Sequence, residues 1–480
     1  MHRIDRSSTR FEPMPIERSH PSLPELKSRV ELSTNMMGFA STLLSQSINI
    51  IKEFELFQKV SDEPAQPYLF RAELVNHHHL KGDERRYLRS SGKGMTPVEA
   101  QMGALGEGVE SYSALSWSND EILFAPQATR EAKFLTPDKL GLYLPEQYAE
   151  LSYTPYTNDS TVGWVQARSL VTGEHVFVPA QAVFLAYKPQ AEEKLYIPPS
   201  SNGLAAGPTL PEAIYRAACE VIERDAFIIT WLNRLPCQRI DPCQHPDANI
   251  VGLCRAYQRR HVEILLYRLP TDQFCHVFMA LTRQTDASAN GPAIAVGLGA
   301  DLDAPRAARQ AILEAAQTRA SLQWYIKQPD VQQYISALVE RPYLVAAGHD
   351  HALRYASPAA TSAFDFLLSR SPTLFDWEAQ TRERPAAPAN AGAAHKLDIL
   401  TQSLDAQNRD LIYFNLTPSN LATLKLFTAR AIIPGFQPIH FGYNERRLAV
   451  NRLYQLPHQL GLTNSLTTPQ MLNPDPHPMS

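Results

Sequence analysis

The sequence lacks the cysteine pairs that structural zinc sites and dithiol redox centres use. Its five cysteines are odd in number, and no two of them form a C-x-x-C pair. They are Cys219, Cys237, Cys243, Cys254 and Cys275. This pattern favours reduced thiols, so we expect a cytoplasmic protein.

Long apolar runs and an excess of basic residues are also missing. The N-terminal MHRIDRSSTRFEPMP has no apolar centre of the kind that a signal peptide needs. The most hydrophobic early run, residues 39–54, is interrupted by Ser, Gln, Lys and Glu, which predicts an amphipathic helix and no membrane span. The net charge of −4 and the pI near 6.4 are not those of a typical nucleic-acid-binding protein.

What is present is the composition of an enzyme-sized globular protein, with 480 residues of which 44% are hydrophobic. Strand-like runs occur at residues 67–75, 161–170, 174–187, 262–269, 276–283, 293–300 and 410–417. Helical patterns lie near residues 96–117, 209–233 and 305–326. This mixture predicts an α/β fold of the mixed α+β kind.

The chain divides into an arm, a body and a tail. Residues 1–26 are polar and proline-punctuated, which predicts a loose N-terminal arm. Residues 27–470 form the expected body, of several subdomains, with a mobile Ala/Pro/Gly-rich loop at 383–396. Residues 471–480, MLNPDPHPMS, carry alternate prolines that favour an extended polyproline-II tail.

Residues 90–111, SSGKGMTPVEAQMGALGEGVES, predict a glycine loop followed by a helix. Thr96-Pro97-Val98-Glu99 matches a capping box with proline at the first helical position. The predicted apolar stripe consists of Val98, Met102, Leu105, Val109 and Tyr112. Glu107 and Glu110 share the other side, beside Gly103 and Gly106. A helical glycine costs roughly 0.5–1 kcal/mol relative to alanine, so the pair predicts a close approach to this backbone.

A second helix begins in the same way, at Thr209-Leu210-Pro211-Glu212. Its polar arc consists of Glu212, Arg216, Glu220 and Glu223. The opposite arc consists of Ile214, Ala218, Val221 and Ile229. Cys219 lies between the two faces, and we expect it to be a small buried hydrophobe.

Each helix therefore carries a Glu-x-x-Glu pair away from its apolar side. Either pair alone is also typical of an ordinary solvated surface. If the two faces meet, four carboxylates converge and repel one another unless cations lie between them. Magnesium binds a few carboxylates together with water and phosphate oxygens, so the cluster predicts a nucleoside triphosphate held through magnesium ions. Lys93, Arg224 and Arg319 could supply further positive charge.

Two other polar features do not indicate sites of their own. A P-loop needs glycine where Tyr87 stands and Ser or Thr where Gly94 stands, so SGKG is not one. Taken alone, SGKG is typical of a flexible turn with a solvated Lys93. The three adjacent histidines at 77–79 cannot all face one ion, and we interpret them as an exposed turn.

Several motifs in this order resemble those of the YcaO-domain proteins. They are residues 90–114, SSGKGMTPVEAQMGALGEGVESYSA, residues 201–227, SNGLAAGPTLPEAIYRAACEVIERDAF, residues 309–321, RQAILEAAQTRAS, and residues 432–448, IIPGFQPIHFGYNERRL. The resemblance runs from residue 27 to the C-terminus. It implies an ATP-dependent enzyme of the YcaO fold, with an ATP and magnesium site between the two glutamate-bearing helices.

The resemblance also implies roles for residues at matching positions. The implied magnesium ligands are Glu107, Glu110, Glu220 and Glu223. The implied ATP contacts are Lys93, Glu212, Arg224, Gln317 and Arg319. The chain departs from the family pattern at Ser111, Gly103 and Pro208, where the family usually has arginine, serine and asparagine. These departures bear on individual ATP contacts and not on the four carboxylates.

The tail resembles that of the azoline-forming cyclodehydratases, the D proteins of thiazole/oxazole-modified peptide pathways, in which it enters the active site. By location alone, the candidate catalytic residues are Pro474, Pro476, His477 and Pro478. The implied reaction converts Cys, Ser or Thr of a ribosomally made precursor peptide to thiazoline or oxazoline. ATP phosphorylates the backbone amide oxygen, and ADP and phosphate are released. Without the resemblance, the tail would be interpreted as a disordered end.

The family context implies partners and alternatives. We expect a ubiquitin-activating-enzyme-like partner that binds the leader of the precursor peptide, and a flavin-dependent azoline dehydrogenase as a further partner. These would form a hetero-oligomeric synthetase complex in a bacterial cytoplasm. The alternatives are other YcaO backbone chemistry, giving thioamides or amidines, and a non-catalytic ATP-binding scaffold.

Overall fold

The computed structural model describes residue 43 and residues 50–60, 63–75, 88–127, 132–190, 192–286, 291–382 and 392–480. The expectations for the arm at 1–26, for the histidines at 77–79 and for most of the loop at 383–396 fall outside the described residues. Among the described residues, no helix combines the length and the apolar composition needed to cross a membrane.

The strands of the described residues form three antiparallel sheets. They are β1 Ile51–Leu56, β2 Tyr68–Leu74, β3 Arg89–Gly94, β4 Leu123–Pro126, β5 Thr161–Ser169, β6 His175–Pro179, β7 Leu204–Gly207, β8 Gln238–Ile240, β9 Val262–Leu269, β10 His276–Gln284, β11 Ile294–Asp301, β12 Ile412–Asn415 and β13 Phe427–Ile432. The first sheet has the order β1-β2-β3 and the second has the order β11-β10-β9-β8. The third has the order β4-β5-β12-β13-β7, with β6 paired to β5.

Helices cover these sheets. They are α1 Pro97–Leu115, α2 Ala180–Val183, α3 Leu210–Asn233, α4 Ala248–Gln258, α5 Ala304–Tyr325, α6 Pro329–Glu340, α7 Gly348–Arg354, α8 Asp365–Leu368, α9 Trp377–Arg382, α10 Ala393–Asp405, α11 Ser419–Thr423 and α12 Asn451–Gln459. The three long helices near 96–117, 209–233 and 305–326 are confirmed as α1, α3 and α5. The mixed α+β fold is confirmed as well.

Each of the three long helices packs on a different sheet. Helix α1 lies on β2 and β3, α3 on β7 and β13, and α5 on β10 and β11. Strand β7 contacts both α1 and α3, and β3 contacts both α1 and α5. The three helices therefore meet where the three sheets adjoin.

The segment SGKG belongs to strand β3, so its interpretation as a flexible turn is wrong. Strand β3 pairs with β2, with Lys93 opposite Leu69. Helix α1 lies so close to this strand that a Cβ at Gly92 would fall 1.9 Å from the Ala100 carbonyl oxygen. The glycines therefore permit helix α1 to pack directly on strand β3. The motif SGKG by itself does not indicate this contact, because glycine is also common in turns.

The apolar stripe predicted for α1 is only partly correct. Leu105 and Val109 are fully buried, whereas Val98 and Met102 are 41% and 38% exposed. The packed face instead consists of Ala100, Ala104, Leu105, Gly108 and Val109. Small residues face the sheet here because the strand lies too close for larger ones.

The two glycines beside the glutamates differ in their surroundings. A Cβ at Gly103 would meet the Cα of Gly92 at 3.1 Å, which confirms the predicted close approach at that position. At Gly106 no described atom beyond the helix's own neighbouring backbone and the adjacent residues lies within 4 Å of the Cβ position, so packing within the protein does not account for this glycine.

These glycines give a matched pair of stability tests. We expect Gly92→Ala to lower the free energy of unfolding by at least about 2 kcal/mol, since strand and helix must separate. We expect Gly106→Ala to raise it by roughly 0.5–1 kcal/mol, since alanine is the better helix former. Urea unfolding of both variants measures the difference. Equal effects of the two substitutions would contradict this packing.

Two further expectations are corrected. The C-terminal part of the helix predicted over 39–54 is strand β1, which pairs with β2 and stacks Phe54 on Phe70 at 5.2 Å. Pairing with a neighbouring strand overrides the local helical pattern. The strand-like run at 174–187 ends at Pro179, where the missing N–H stops the ladder and helix α2 begins.

Candidate functional site

Helix α1 directs its two glutamates at the backbones of two different strands. The helix begins as predicted, with Thr96 Oγ1 accepting a hydrogen bond from the Glu99 N–H at 3.2 Å. The Glu107 carboxylate accepts from the Ser91 N–H on β3 at 2.9 Å. The Glu110 carboxylate accepts from the Ala206 N–H on β7 at 2.7 Å. Both side chains are therefore held in fixed orientations.

Helix α3 approaches the same strand from the other side. Thr209 caps it as predicted, accepting from the Glu212 N–H at 3.3 Å. The Glu220 carboxylate accepts from the Gly203 N–H, just before β7, at 3.3 Å. Arg224 Nη2 lies 3.6 Å from carboxylate oxygens of both Glu220 and Glu223. The two Glu-x-x-Glu faces thus meet across β7.

Helix α5 contributes a carboxylate that the sequence argument missed. Glu314 Oε2 lies 2.9 Å from Lys93 Nζ of β3, so an ion pair joins the two elements. Gln317, one turn further along, donates from Nε2 to Ser91 Oγ at 2.9 Å. Glu314 could have been found from the sequence, because it stands three residues before Gln317 and so shares its helix face.

The carboxylates perturb one another. Burial raises the pKa of Glu110 and of Glu223 to about 8, and neighbouring glutamates add to the increase. Burial also raises the pKa of Glu107 and of Glu220. Glu107 as a whole residue is nevertheless exposed, so solvent reaches this side of the cluster. Such a cluster is stabilised when cations replace the bound protons.

The donor set fits hard cations shared with another ligand better than a closed metal cage. In the described part of the chain, no three His, Cys, Asp or Glu side chains are arranged around one ion. Magnesium usually takes one or two carboxylates and completes its octahedron with water and phosphate oxygens. The buried Nη1 of Arg224, which has no hydrogen-bond partner, adds a donor for an anionic group at the same place.

Two of the implied ATP contacts bond to residues other than these carboxylates. Arg319 is 4% exposed and bonds to Glu63, to Gln284 and to the Pro292 carbonyl. Glu212 accepts from Arg216 Nε at 3.0 Å, one helical turn away. Lys93, Arg224 and Gln317 therefore contact residues of the site, whereas Glu212 and Arg319 are bonded to other partners.

The cysteine next to Glu220 is buried, as expected. Cys219 is 4% exposed, and its Sγ lies 3.7 Å from the Sγ of Cys275. Burial raises the pKa of the Cys219 thiol, which keeps it protonated. The residues that depart from the family pattern have ordinary positions: Ser111 is buried in α1, Gly103 faces β3, and Pro208 is exposed before α3.

The C-terminal tail is ordered along α3. Pro476, His477 and Pro478 are buried, whereas Pro474 is exposed. An extended proline-rich strand has no internal hydrogen bonds, so side chains bond its carbonyls. Trp231 Nε1 donates to the Asp475 carbonyl at 2.9 Å, and Tyr355 donates to the Pro476 carbonyl.

His477 is held at the centre of this contact. Its Nε2 donates to the His440 carbonyl, and its Nδ1 accepts from the Met479 N–H at 3.3 Å. Its ring stacks on that of His351 at 4.1 Å. Burial lowers the pKa of His477, and the positive charge of Arg224 contributes to the decrease. Both ring nitrogens are used, so His477 has no free nitrogen to accept a proton in this arrangement.

Known proteins match the chain in sequence. Residues 91–437 match the family described as YcaO cyclodehydratase, ATP- and Mg²⁺-binding. An uncharacterized protein of Methanothermobacter thermautotrophicus is 33% identical over 235 residues, 48% of this chain and 57% of that protein. An uncharacterized protein in the tfuA 3′ region of Rhizobium leguminosarum bv. trifolii is 31% identical over 237 residues, 48% of this chain and 54% of that protein. The chain thus spans about half the length of the curated relatives it matches.

Solved structures share the fold. A heterocyclase in complex with substrate and cofactor has a TM-score of 0.77 at 21% identity, covering 95% of this chain and 59% of that one. YcaO from Methanopyrus kandleri, bound with AMPPCP and Mg²⁺, has a TM-score of 0.59 at 20% identity, covering 84% and 91%. The E. coli microcin synthetase McbBCD complex has a TM-score of 0.53 at 16% identity, covering 79% and 86%. The family match covers most of the chain and includes all three helices of the site, so this protein belongs to the YcaO cyclodehydratase family, which binds ATP and Mg²⁺.

Proposed function

We propose that this protein is an ATP-dependent cyclodehydratase that converts Cys, Ser or Thr residues of a ribosomally made precursor peptide to thiazolines or oxazolines. The observation that carries the proposal is the buried proline-rich tail. It packs on the helix that bears Glu220 and Glu223, and Phe227 of that helix lies 5.7 Å from the ring of His477. The carboxylate cluster and the ordered C-terminal segment therefore adjoin along one helix.

In this proposal the four glutamates bind magnesium, which neutralises phosphate charge and orients the nucleotide. The ligands are Glu107, Glu110, Glu220 and Glu223, and we add Glu314 as a further carboxylate of the same site. Lys93, Arg224 and Gln317 contact ATP. The roles of Glu212 and Arg319 in ATP binding stay predictions, and Arg319 would have to exchange its present partners.

The reaction needs phosphoryl transfer because an amide oxygen is a poor leaving group. The thiol or hydroxyl of the substrate adds to the preceding carbonyl carbon, and its proton goes to a base. The carbonyl oxygen takes the γ-phosphoryl group of ATP, leaving ADP. Loss of phosphate together with the amide N–H proton then forms the C=N bond. The protein mainly positions and neutralises charge in such a transfer.

Magnesium binding is expected to release protons near pH 7. With a pKa of about 8, the carboxyl groups of Glu110 and Glu223 are largely protonated there, whereas a magnesium ligand must be deprotonated. Titration of MgCl₂ into the protein with AMPPCP, in buffers of different ionisation enthalpy, should give heats that depend on the buffer. Magnesium affinity should rise with pH through about 8. A heat and an affinity independent of buffer and pH would contradict these assignments.

The proposed activity is tested by following peptide mass and ADP together. The protein is incubated with ATP, magnesium, a Cys/Ser/Thr-rich precursor and the candidate leader-binding partner. Loss of one water and formation of one ADP per modified residue would support the proposal. Exchange of oxygen for sulfur would select thioamide formation instead, and ATP binding without turnover would select the scaffold.

The same proposal includes the setting of the enzyme. We propose a ubiquitin-activating-enzyme-like partner that presents the leader of the precursor, a flavin-dependent dehydrogenase that acts on the azolines, and assembly of these in the bacterial cytoplasm. The likeness of the fold to the McbBCD complex supports assembly with partners. Co-purification with each candidate partner, with and without precursor, tests this part separately.

A further inference from the structure

A cavity of about 80 Å³ is lined in part by Val221, the residue that follows Glu220 on α3. Its apolar walls include Ile197, Val221 and Phe436. Polar side chains line it as well: Arg430, Gln437 and Arg447 are buried, and Asn202 is partly buried. This volume has room for several water molecules or for a short piece of polypeptide backbone.

Three polar atoms of this lining are buried without a hydrogen-bond partner. They are Asn202 Oδ1, Gln437 Oε1 and Arg447 Nε. The orientation of Gln437 is defined by its other end, because Nε2 donates to the carbonyls of Arg447 at 3.1 Å and of Pro438 at 3.3 Å. Its Oε1 is therefore an acceptor that needs a donor. The cavity offers one N–H donor and two acceptor oxygens, and each costs free energy while unpaired.

A backbone amide matches this set. Its C=O accepts one hydrogen bond and its N–H donates one, so it can pair with Arg447 Nε and with a carboxamide oxygen at the same time. An anion such as phosphate offers acceptors that suit arginine but would face the negative end of Gln437 Oε1. The mixed lining therefore favours a neutral amide over an anion.

The position of the cavity agrees with this ligand. Val221 directly follows Glu220, and the Asn202 carbonyl accepts from Arg430 Nη1 at 2.8 Å while the next residue, Gly203, bonds Glu220. On the other side, Gln437 and Pro438 precede His440, whose carbonyl holds His477. Residues that line the cavity thus lie within a few positions in the chain of a carboxylate of the cluster and of a residue that contacts the tail.

We propose that this cavity binds a backbone amide of the substrate peptide, with its C=O on Arg447 Nε and its N–H on the side-chain oxygen of Asn202 or Gln437. The proposal rests on the proposed function in that the peptide is the substrate. It goes further in naming the residues that read the peptide backbone and in placing that backbone between the carboxylate cluster and the tail.

The probe for the first test is N-methylacetamide, a single peptide unit, titrated into the full-length protein containing arginine labelled with ¹⁵N at Nε. The Arg447 signal is assigned by its loss in Arg447→Lys. We expect a saturable shift of this signal with N-methylacetamide and a weaker response to methyl acetate, which lacks the N–H. No saturable shift, an equal response to the ester, or tighter binding of inorganic phosphate would overturn the proposal.

The second test uses peptide turnover. We expect Asn202→Ala and Arg447→Lys each to raise KM for the peptide by about tenfold, with KM for ATP unchanged, because each removes one hydrogen bond to the amide. The exposed Gln258 provides the matched control Gln258→Ala, which should change neither value.

Unchanged peptide KM in both cavity variants would overturn the proposal. Dehydration that continues with unchanged KM would refute the cavity site alone, whereas saturable amide binding without any dehydration would refute only the proposed function.

Discussion

Replacing Glu223 with glutamine is expected to reduce ATP-dependent turnover by at least about 10²–10³-fold. Glu223 is 8% exposed and shares Arg224 with Glu220, so its carboxylate lies where the two Glu-x-x-Glu pairs meet. Glutamine keeps the size of the side chain and removes the negative charge that a magnesium ligand needs. ADP formation measured over a range of magnesium concentrations records the loss.

The melting temperature of Glu223→Gln distinguishes a loss of turnover at the site from unfolding of the protein. Since burial and neighbouring carboxylates raise the pKa of Glu223, the neutral glutamine should leave the melting temperature equal or higher. Glu107→Gln is the second site variant, and it is expected to lose turnover in the same way. The exposed Glu174, paired with Lys133, provides the control Glu174→Gln, which should leave turnover unchanged. Near-normal turnover in both site variants would refute the metal assignment.

Deleting residues 474–480 is expected to reduce cyclisation by at least about tenfold while ATP binding stays close to normal. The deleted segment includes His477, whose ring lies beside that of Phe227. Glu220 and Glu223 lie one to two helical turns from Phe227, toward the N-terminus of α3. Nucleotide affinity from calorimetry and peptide mass from the turnover assay give the two readouts. Equal loss of both would contradict a tail that acts in peptide conversion.

The deletion also removes packing, because Met479 belongs to the main hydrophobic core. A milder variant controls for this. Tyr355→Phe keeps the aromatic ring between Trp231 and Phe364 but removes the hydroxyl that donates to the Pro476 carbonyl. We expect it to lower cyclisation less than the deletion does and to leave ATP affinity unchanged. If Tyr355→Phe folds normally but binds ATP more weakly, the tail supports the nucleotide site and has no separate part in peptide conversion.

The helices of the site could be predicted because their signals are local. Thr96 and Thr209 cap their helices as the capping boxes indicated, and the 3.6-residue period placed each glutamate pair away from the apolar side. The sequence also indicated what would follow if the two glutamate faces met, because four clustered carboxylates need cations between them. Helix caps and helix faces depend on neighbours within a few residues.

The remaining parts depend on contacts between distant segments. Lys93 and Glu314 are 221 residues apart, and nothing near either of them indicates the other. The assignment of SGKG as a turn failed because Gly92 serves the packing of α1 on β3, which is a tertiary requirement. The burial of His477 likewise follows from the residues at 351, 355 and 440, which no local pattern connects with the tail.

The most direct test of the central claim follows one oxygen atom. A precursor with ¹⁸O in the backbone carbonyl before a modified Cys, Ser or Thr is turned over with unlabelled ATP in unlabelled water, and the phosphate is analysed by mass spectrometry. Phosphorylation of the amide oxygen predicts that each phosphate released with an azoline carries one ¹⁸O. Unlabelled phosphate, with the ¹⁸O lost to water or retained in the peptide, would contradict the account.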